Sequence, residues 1–250
     1  YNVQFRKGKP VFIDTLSFEP GRDDQPWVAY RQFCQHFLAP LALMSRVDIR
    51  LGQLLRIHVD GIPLDLADTL LPWRSRLGLG LFTHVYLHAR SQKHFAGKHV
   101  TRSRLKMSRQ ALLALADHLE TTVERMKWTP GKSAWTDYYA STNYESEAFK
   151  HKSELVAGFL RELNPVPRQV WDLGANTGYF SRMASARGIP TIALDMDPAC
   201  VESNYLECIR SGETNLLPLW LDLVNPSADL GWANDERTSW IGRGPADVAL

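Results

Sequence analysis

The chain has 250 residues, 44% of them hydrophobic and 22% charged, with a net charge of +2. That length buries a real core in one large domain or two small ones, and the composition excludes a disordered or fibrous chain. The small net charge excludes a polyelectrolyte, so any affinity for nucleic acid has to come from a local patch.

The first residues predict a β-hairpin: 2–5 extended, Lys7-Gly8-Lys9 turning, 10–14 extended, with Gly8 supplying the backbone freedom of the turn. Residues 27–38 predict a helix with Trp27, Tyr30, Phe33, Cys34 and Phe37 on one core-forming face, bent or ended by Pro40. Short helical pieces follow at 49–57 and 64–71, punctuated by Pro63 and Pro72, and the apolar run 79–89 fits helix or strand. Residues 90–109 carry Arg90, Lys93, Lys98, Arg102, Arg104, Lys106 and Arg109 without an acid. RNA or another polyanion is one use for such a stretch, but only Phe95 is available to stack on a base, so a solvated basic loop is the preferred reading.

Ser108 fits an N-cap for a helix to Met126, with Leu112, Leu115, Ala116, Leu119 and Val123 as its apolar stripe. An aromatic, turn-rich linker over 128–143 holds Pro130-Gly131, Trp135, Tyr138 and Tyr139. Together with Tyr144, those tyrosines pack a seam between domains or form a lid. An amphipathic helix over 144–163 comes next, with Phe149, Lys152, Val156, Phe159 and Leu163 at helical spacing and Lys152 expected on its solvated face.

Cys34, Cys200 and Cys208 are spaced for neither a disulfide framework nor a zinc site, which fits a reducing, cytoplasmic setting. His84 and His88 stand four apart with no third ligand beside them, so no metal is expected. No run reaches the roughly 18 apolar residues of a membrane span, and no signal peptide opens the chain. Tyr1 rather than Met begins it, so a natural protein that starts earlier is expected.

The strongest signal lies further on. A short buried strand at 169–173 runs into Gly174-Ala175-Asn176-Thr177-Gly178, a helix over 179–187, the stop Gly188-Ile189-Pro190, and a second strand at 191–194 that finishes at Asp195. This is a βαβ unit with a glycine-containing first turn and an acid closing its second strand. A turn of small residues lets backbone N–H groups approach a ligand, and the helix N-terminus favours an anion. A carboxylate at Asp195 can accept hydrogen bonds from a pair of ribose hydroxyls. The dinucleotide spacing G-x-G-x-x-G is absent, because Asn176 stands at its second glycine and Tyr179 at its third.

At these residues the chain resembles the class I S-adenosylmethionine-dependent methyltransferases, whose first motif is acid-x-Gly-x-Gly-x-Gly. Asp172, Gly174 and Gly178 match it. Asn176 replaces the middle glycine, and Asn is the non-glycine residue that best tolerates a left-handed backbone. The resemblance implies an α/β fold: a Rossmann-like methyltransferase sheet, incomplete in this chain, over 126–250, preceded by a mostly helical extension over 1–125. It implies S-adenosylmethionine as cofactor, with Gly174, Asn176 and Gly178 at its methionine part and Asp195 at its ribose. Downstream, Asp197-Pro198 opens a helix to Ile209, 216–221 is the third strand, and Asp222 falls where the family places an acid near the adenine amino group. Asp247 leads into the fourth strand at 248–250; it and Asp222 also fit plain turn, cap or strand-start roles.

The family's sheet has seven strands and its acceptor-side motif follows the fourth. The catalytic residues are therefore expected beyond Leu250, in a natural protein that continues, and none is named. Residues 1–125 resemble the front extension of poorly characterised bacterial nodulation-related methyltransferases. The starting hairpin also resembles the metal-binding hairpin of aminoglycoside-kinase-like lobes, but their catalytic Asp has no counterpart upstream, and kinase chemistry is not expected. The implied function is methyl transfer to a small molecule or glycan, without a membrane partner. The alternative is a degenerate cofactor-binding module that recruits a partner or RNA through its extension and basic loop.

Overall fold

The computed structural model describes residues 3–14, 16, 18–19, 25–95, 106–131 and 146–250. The chain divides into two units: Glu19–Thr129, and Tyr1–Phe18 together with Pro130–Leu250. The starting hairpin falls in the same unit as the C-terminal residues. Hairpin and C-terminal residues are far apart in sequence, so no local pattern reports that grouping.

The unit Glu19–Thr129 is helical. Helix α1 (Tyr30–Phe33) passes through a π turn (Cys34–Leu38) into α2 (Ala39–Arg46). Proline lacks an N–H and its ring crowds the carbonyl four residues back. The π turn supplies the slack, with the Ala39 N–H reaching back five residues to the Cys34 carbonyl. The expected bend or stop at Pro40 is therefore absorbed, and the helix runs on to Arg46. The extra residue also resets the helical phase. Cys34, Leu38, Ala39, Ala42 and Leu43 are fully buried, while Trp27 and Phe37, expected in the core, stay 41% exposed.

A 3-10 turn (Ile49–Gln53) and α3 (Leu54–Ile57) follow, then α4 (Leu64–Leu70) between Pro63 and Pro72. The ambiguous run at 79–89 is helical: α5 (Leu79–Leu81), a second π turn (Phe82–Leu87) and α6 (His88–Phe95). Leu81, Val85 and Ala89 recur about one helical turn apart and are all buried. Helix α7 (Arg109–Glu124) starts as expected at Ser108, whose hydroxyl accepts from the Ala111 N–H at 3.3 Å. Lys98, Arg102 and Arg104 of the basic stretch, and Trp135, Tyr138, Tyr139 and Tyr144, lie outside the described residues.

The other unit is mixed α/β. Strands β1 (Val3–Arg6) and β2 (Lys9–Phe12) pair antiparallel, with Val3 opposite Phe12. Lys7 and Gly8 both hold positive φ, as a two-residue hairpin turn demands. Helix α8 (Ser146–Glu162) then leads to β3 (Val170–Leu173), α9 (Tyr179–Ser185), β4 (Thr191–Asp195), α10 (Pro198–Ser211), β5 (Leu216–Trp220) and β6 (Val248–Ala249). Leu160, rather than Phe159, is the most buried residue of α8; Phe159 is 64% exposed. One residue is about 100° of helix, so Phe159 rides the edge of the face that Val156, Leu160 and Leu163 turn to the sheet.

Strands β3 to β6 form one parallel sheet in the order β5-β4-β3-β6. Successive strands step outward from β3 through β4 to β5, and β6 then returns to the other side of β3. In open parallel sheets the crevice at such a reversal, beyond the carboxyl ends of the strands, is where ligands bind. Between β5 and β6 the chain makes 3-10 turns (Trp232–Asn234 and Ile241–Arg243) and no α-helix. Among the described residues no helix is long and apolar enough to cross a membrane.

Candidate functional site

The turn from β3 into α9 is shaped by three left-handed residues: Gly174 (φ +82°), Asn176 (φ +51°) and Gly178 (φ +84°). Asparagine thus takes the conformation expected of it. The turn is tied down from several sides. The Gly174 and Ala175 N–H groups donate to the Leu194 carbonyl at 2.8 and 3.0 Å, and the Gly178 N–H donates to the Ala175 carbonyl at 2.8 Å. The Thr177 N–H donates to Asn176 Oδ1 at 2.7 Å. The Asn176 N–H donates to Asp195 Oδ2 at 2.7 Å, and Asp195 Oδ1 accepts from the Asp197 N–H at 2.8 Å.

This departs from the expectation that the turn's N–H groups face a ligand, since each is engaged within the protein. The reason is that β4 runs parallel beside β3 and ends with its carbonyl and carboxylate against the turn. Asp195 uses two of the roughly four acceptor directions of a carboxylate, leaving two for a ligand.

Arg182, which the sequence reading did not single out, holds the turn from behind. Its guanidinium donates to the Thr177 and Gly178 carbonyls at 2.8 and 3.2 Å and pairs with Glu213 at 3.0 Å. A cation four residues beyond the last glycine of such a turn is the signal that could have found it.

Asp172 is 5% exposed and accepts from the Ser181 hydroxyl at 2.6 Å. Burial raises its pKa above the ordinary carboxylate range, and nearby Asp195 pushes the same way; the Ser181 hydrogen bonds and Lys152 oppose them.

A cavity of about 690 Å³ opens at the carboxyl ends of the four parallel strands. Asp172, Gly174, Asn176, Asp195 and Asp222 all line it, together with Lys152 and the apolar Phe180, Met196, Leu221 and Leu223. Five of the six residues singled out from sequence therefore meet in one place. Asp222 Oδ1 accepts from the Val224 N–H at 2.9 Å. Gly178 is the exception. It is absent from the cavity wall, and a Cβ on it would overlap the Asn204 amide on α10. Gly174 differs, since a Cβ there would meet no atom within 4 Å.

Asp247 lies at the opposite end of the sheet. It accepts from the Arg168 and Gln169 N–H groups at 2.6 and 3.2 Å, which joins the start of β6 to the start of β3. Lys152, expected on a solvated face, is exposed but stands at the cavity wall. Among the described residues no group of His, Cys, Asp and Glu is arranged to hold a metal ion.

Fold and site together define a mixed α/β protein with a carboxylate-lined cavity at the strand reversal of a parallel sheet. No family model matches the chain. It is 35% identical over 257 aligned residues to Nodulation protein NoeA of Rhizobium meliloti (strain 1021). That alignment takes in all of this chain and 53% of the relative, so the chain spans about half the relative's length. The likeness takes in residues 1–125 as well as the rest of the chain.

Proposed function

We propose that this chain is the cofactor-binding half of a class I S-adenosylmethionine-dependent methyltransferase built on a Rossmann-like sheet. The observation that carries the proposal is the cavity itself. Asp172, Gly174, Asn176 and Asp195, chosen from sequence spacing, and Asp222, implied by the family resemblance, line one space at the reversal of a β5-β4-β3-β6 sheet. The residues fit the group. The volume of about 690 Å³ falls within the roughly 300–1,000 Å³ of small-molecule pockets. The wall is rich in carboxylates, and S-adenosylmethionine is rich in donors: ribose hydroxyls, an adenine amino group and an ammonium. Gly174 leaves open the space that a Cβ would fill.

When bound, the cofactor supplies an electrophilic methyl group on a sulfonium. The chain's own residues bind and orient. The free acceptor directions of Asp195 take the ribose hydroxyls, Asp222 takes the adenine amino group, and Asp172 faces the ammonium. Rate enhancement then comes mainly from holding an acceptor in line with the methyl group. We infer a small-molecule or glycan acceptor in a cytoplasmic setting, in keeping with three free, buried cysteines.

Calorimetric titration with S-adenosylhomocysteine tests the reading. The chain should bind it, and Asp195→Ala should weaken binding by about 1.5–3 kcal/mol, the scale of a charge-assisted hydrogen bond. Unchanged affinity in the variant would remove Asp195 from the ribose site, and no binding at all would remove the cofactor.

A further inference from the structure

Among the described residues, three carboxylates line the cavity, Asp172, Asp195 and Asp222, against a single cation, Lys152. Lys152 reaches it from α8, flanked on the same wall by Val156 and Phe159. Its Nζ lies 4.7 Å from the centre of the Phe180 ring. Among the described residues no carboxylate stands within ion-pair distance of it. An aromatic face holds an ammonium and screens one side of it from water, which strengthens its pull on an anion.

A ligand's anion has few other partners here. The five N–H groups of the turn are engaged with Leu194, Ala175, Asn176 and Asp195. The first turn of α9 is met by the protein's own carboxylate, Asp172, through Ser181.

We infer that Lys152 binds the carboxylate of an α-amino-acid end on the ligand, while Asp172 faces the ammonium of the same end. An α-amino acid is a zwitterion, and an ammonium and a carboxylate on one wall are its complement. The inference rests on the cofactor reading above and deepens it: the cavity distinguishes a nucleoside that carries an amino-acid tail from one that does not. Lys152 is a positioning and affinity residue in this account, and takes no part in bond making.

The test is calorimetry on the full chain and on Lys152→Ala and Lys152→Arg, with two probes. S-adenosylhomocysteine carries the amino-acid end; 5′-methylthioadenosine has the same nucleoside and thioether without it. Lys152→Ala should weaken S-adenosylhomocysteine about tenfold and leave 5′-methylthioadenosine within about twofold, while Lys152→Arg recovers most of the loss. An equal loss for both probes, or no loss for either, would overturn the assignment and leave the cofactor reading standing. Failure of the unsubstituted chain to bind either probe would overturn the cofactor reading, and the Lys152 assignment with it. Binding of 5′-methylthioadenosine also reports that the variants are folded.

Discussion

Gly174 and Gly178 share a left-handed backbone but not a purpose, and substitution should separate them. At Gly174 an added methyl meets open space, so Gly174→Ala carries only the left-handed strain of about 1–2 kcal/mol. At Gly178 the same strain is joined by overlap with Asn204, which is 1% exposed and has nowhere to go. Gly178→Ala should therefore cost about 1–3 kcal/mol more than Gly174→Ala. Urea denaturation of both variants checks this, and Asn204→Ala in the Gly178→Ala background should return part of the difference. Equal losses would mean that Asn204 does not press on Gly178. Spacing was enough to bring out Asp172, Gly174, Asn176 and Asp195, because a strand that turns tightly into a helix leaves a local signature; Asp222 came only with the family resemblance. It could not say that Gly178 backs onto Asn204, because α10 arrives there only through the fold.

At the scale of elements, the two π turns lie beside a polar cluster inside the helical unit. His84 is 1% exposed and bridged on both ring nitrogens, with Nδ1 2.7 Å from Tyr30 Oη and Nε2 2.9 Å from His118 Nδ1. Burial lowers the His84 pKa to about 4, and the charges of His118 and His88 add to the effect. The folded state thus resists a proton that the unfolded chain takes up near pH 6.5. Stability is full above that pH and is lost as pH falls from about 6.5 to about 4, with a slope approaching 1.4 kcal/mol per unit. Urea titrations across that range should show the slope, and His84→Gln should flatten it. A slope that survives the substitution would place the titrating group elsewhere.

Asp247 has the opposite sign. The Arg168 N–H holds its carboxyl below the ordinary range, helped by the Arg168 side chain and the Gln169 N–H. Its contribution is present above the usual carboxylate pKa and is lost as pH falls through the lowered one. Asp247→Asn should lower the thermal midpoint at neutral pH and change it little in strong acid; an equal shift at both would rule out the charge. A helix through 30–46 that carries a mid-sequence proline, and a third histidine meeting His84, were not legible. The first depends on a π turn, and the second on α7 packing beside the run at 82–87.

Across the whole molecule, all three cysteines are buried thiols. Burial pushes Cys34 up to about 11 and Cys200 and Cys208 up to about 12, with carboxylates adding to the last two. Only the thiolate reacts with alkylating agents. In native protein at neutral pH, iodoacetamide should label none of them, and labelling should rise together with unfolding in urea. Rapid labelling of the folded chain would show a thiol that opens locally.

Local pattern was sufficient for the hairpin, the Ser108 cap, the alternation of strand and helix over 146–250, and the residues at the strand ends. Each of these is written within a few neighbouring positions, as a turn residue, a cap or an apolar period. The order β5-β4-β3-β6, the grouping of the starting hairpin with residues 130–250, the seat of Gly178 against Asn204 and the arrival of Lys152 at the cavity came only with the fold. They join residues tens to hundreds of positions apart, and such contacts form because burying the faces of α8, α9 and α10 against one sheet is favourable, a sum over the whole unit that no short window of sequence contains.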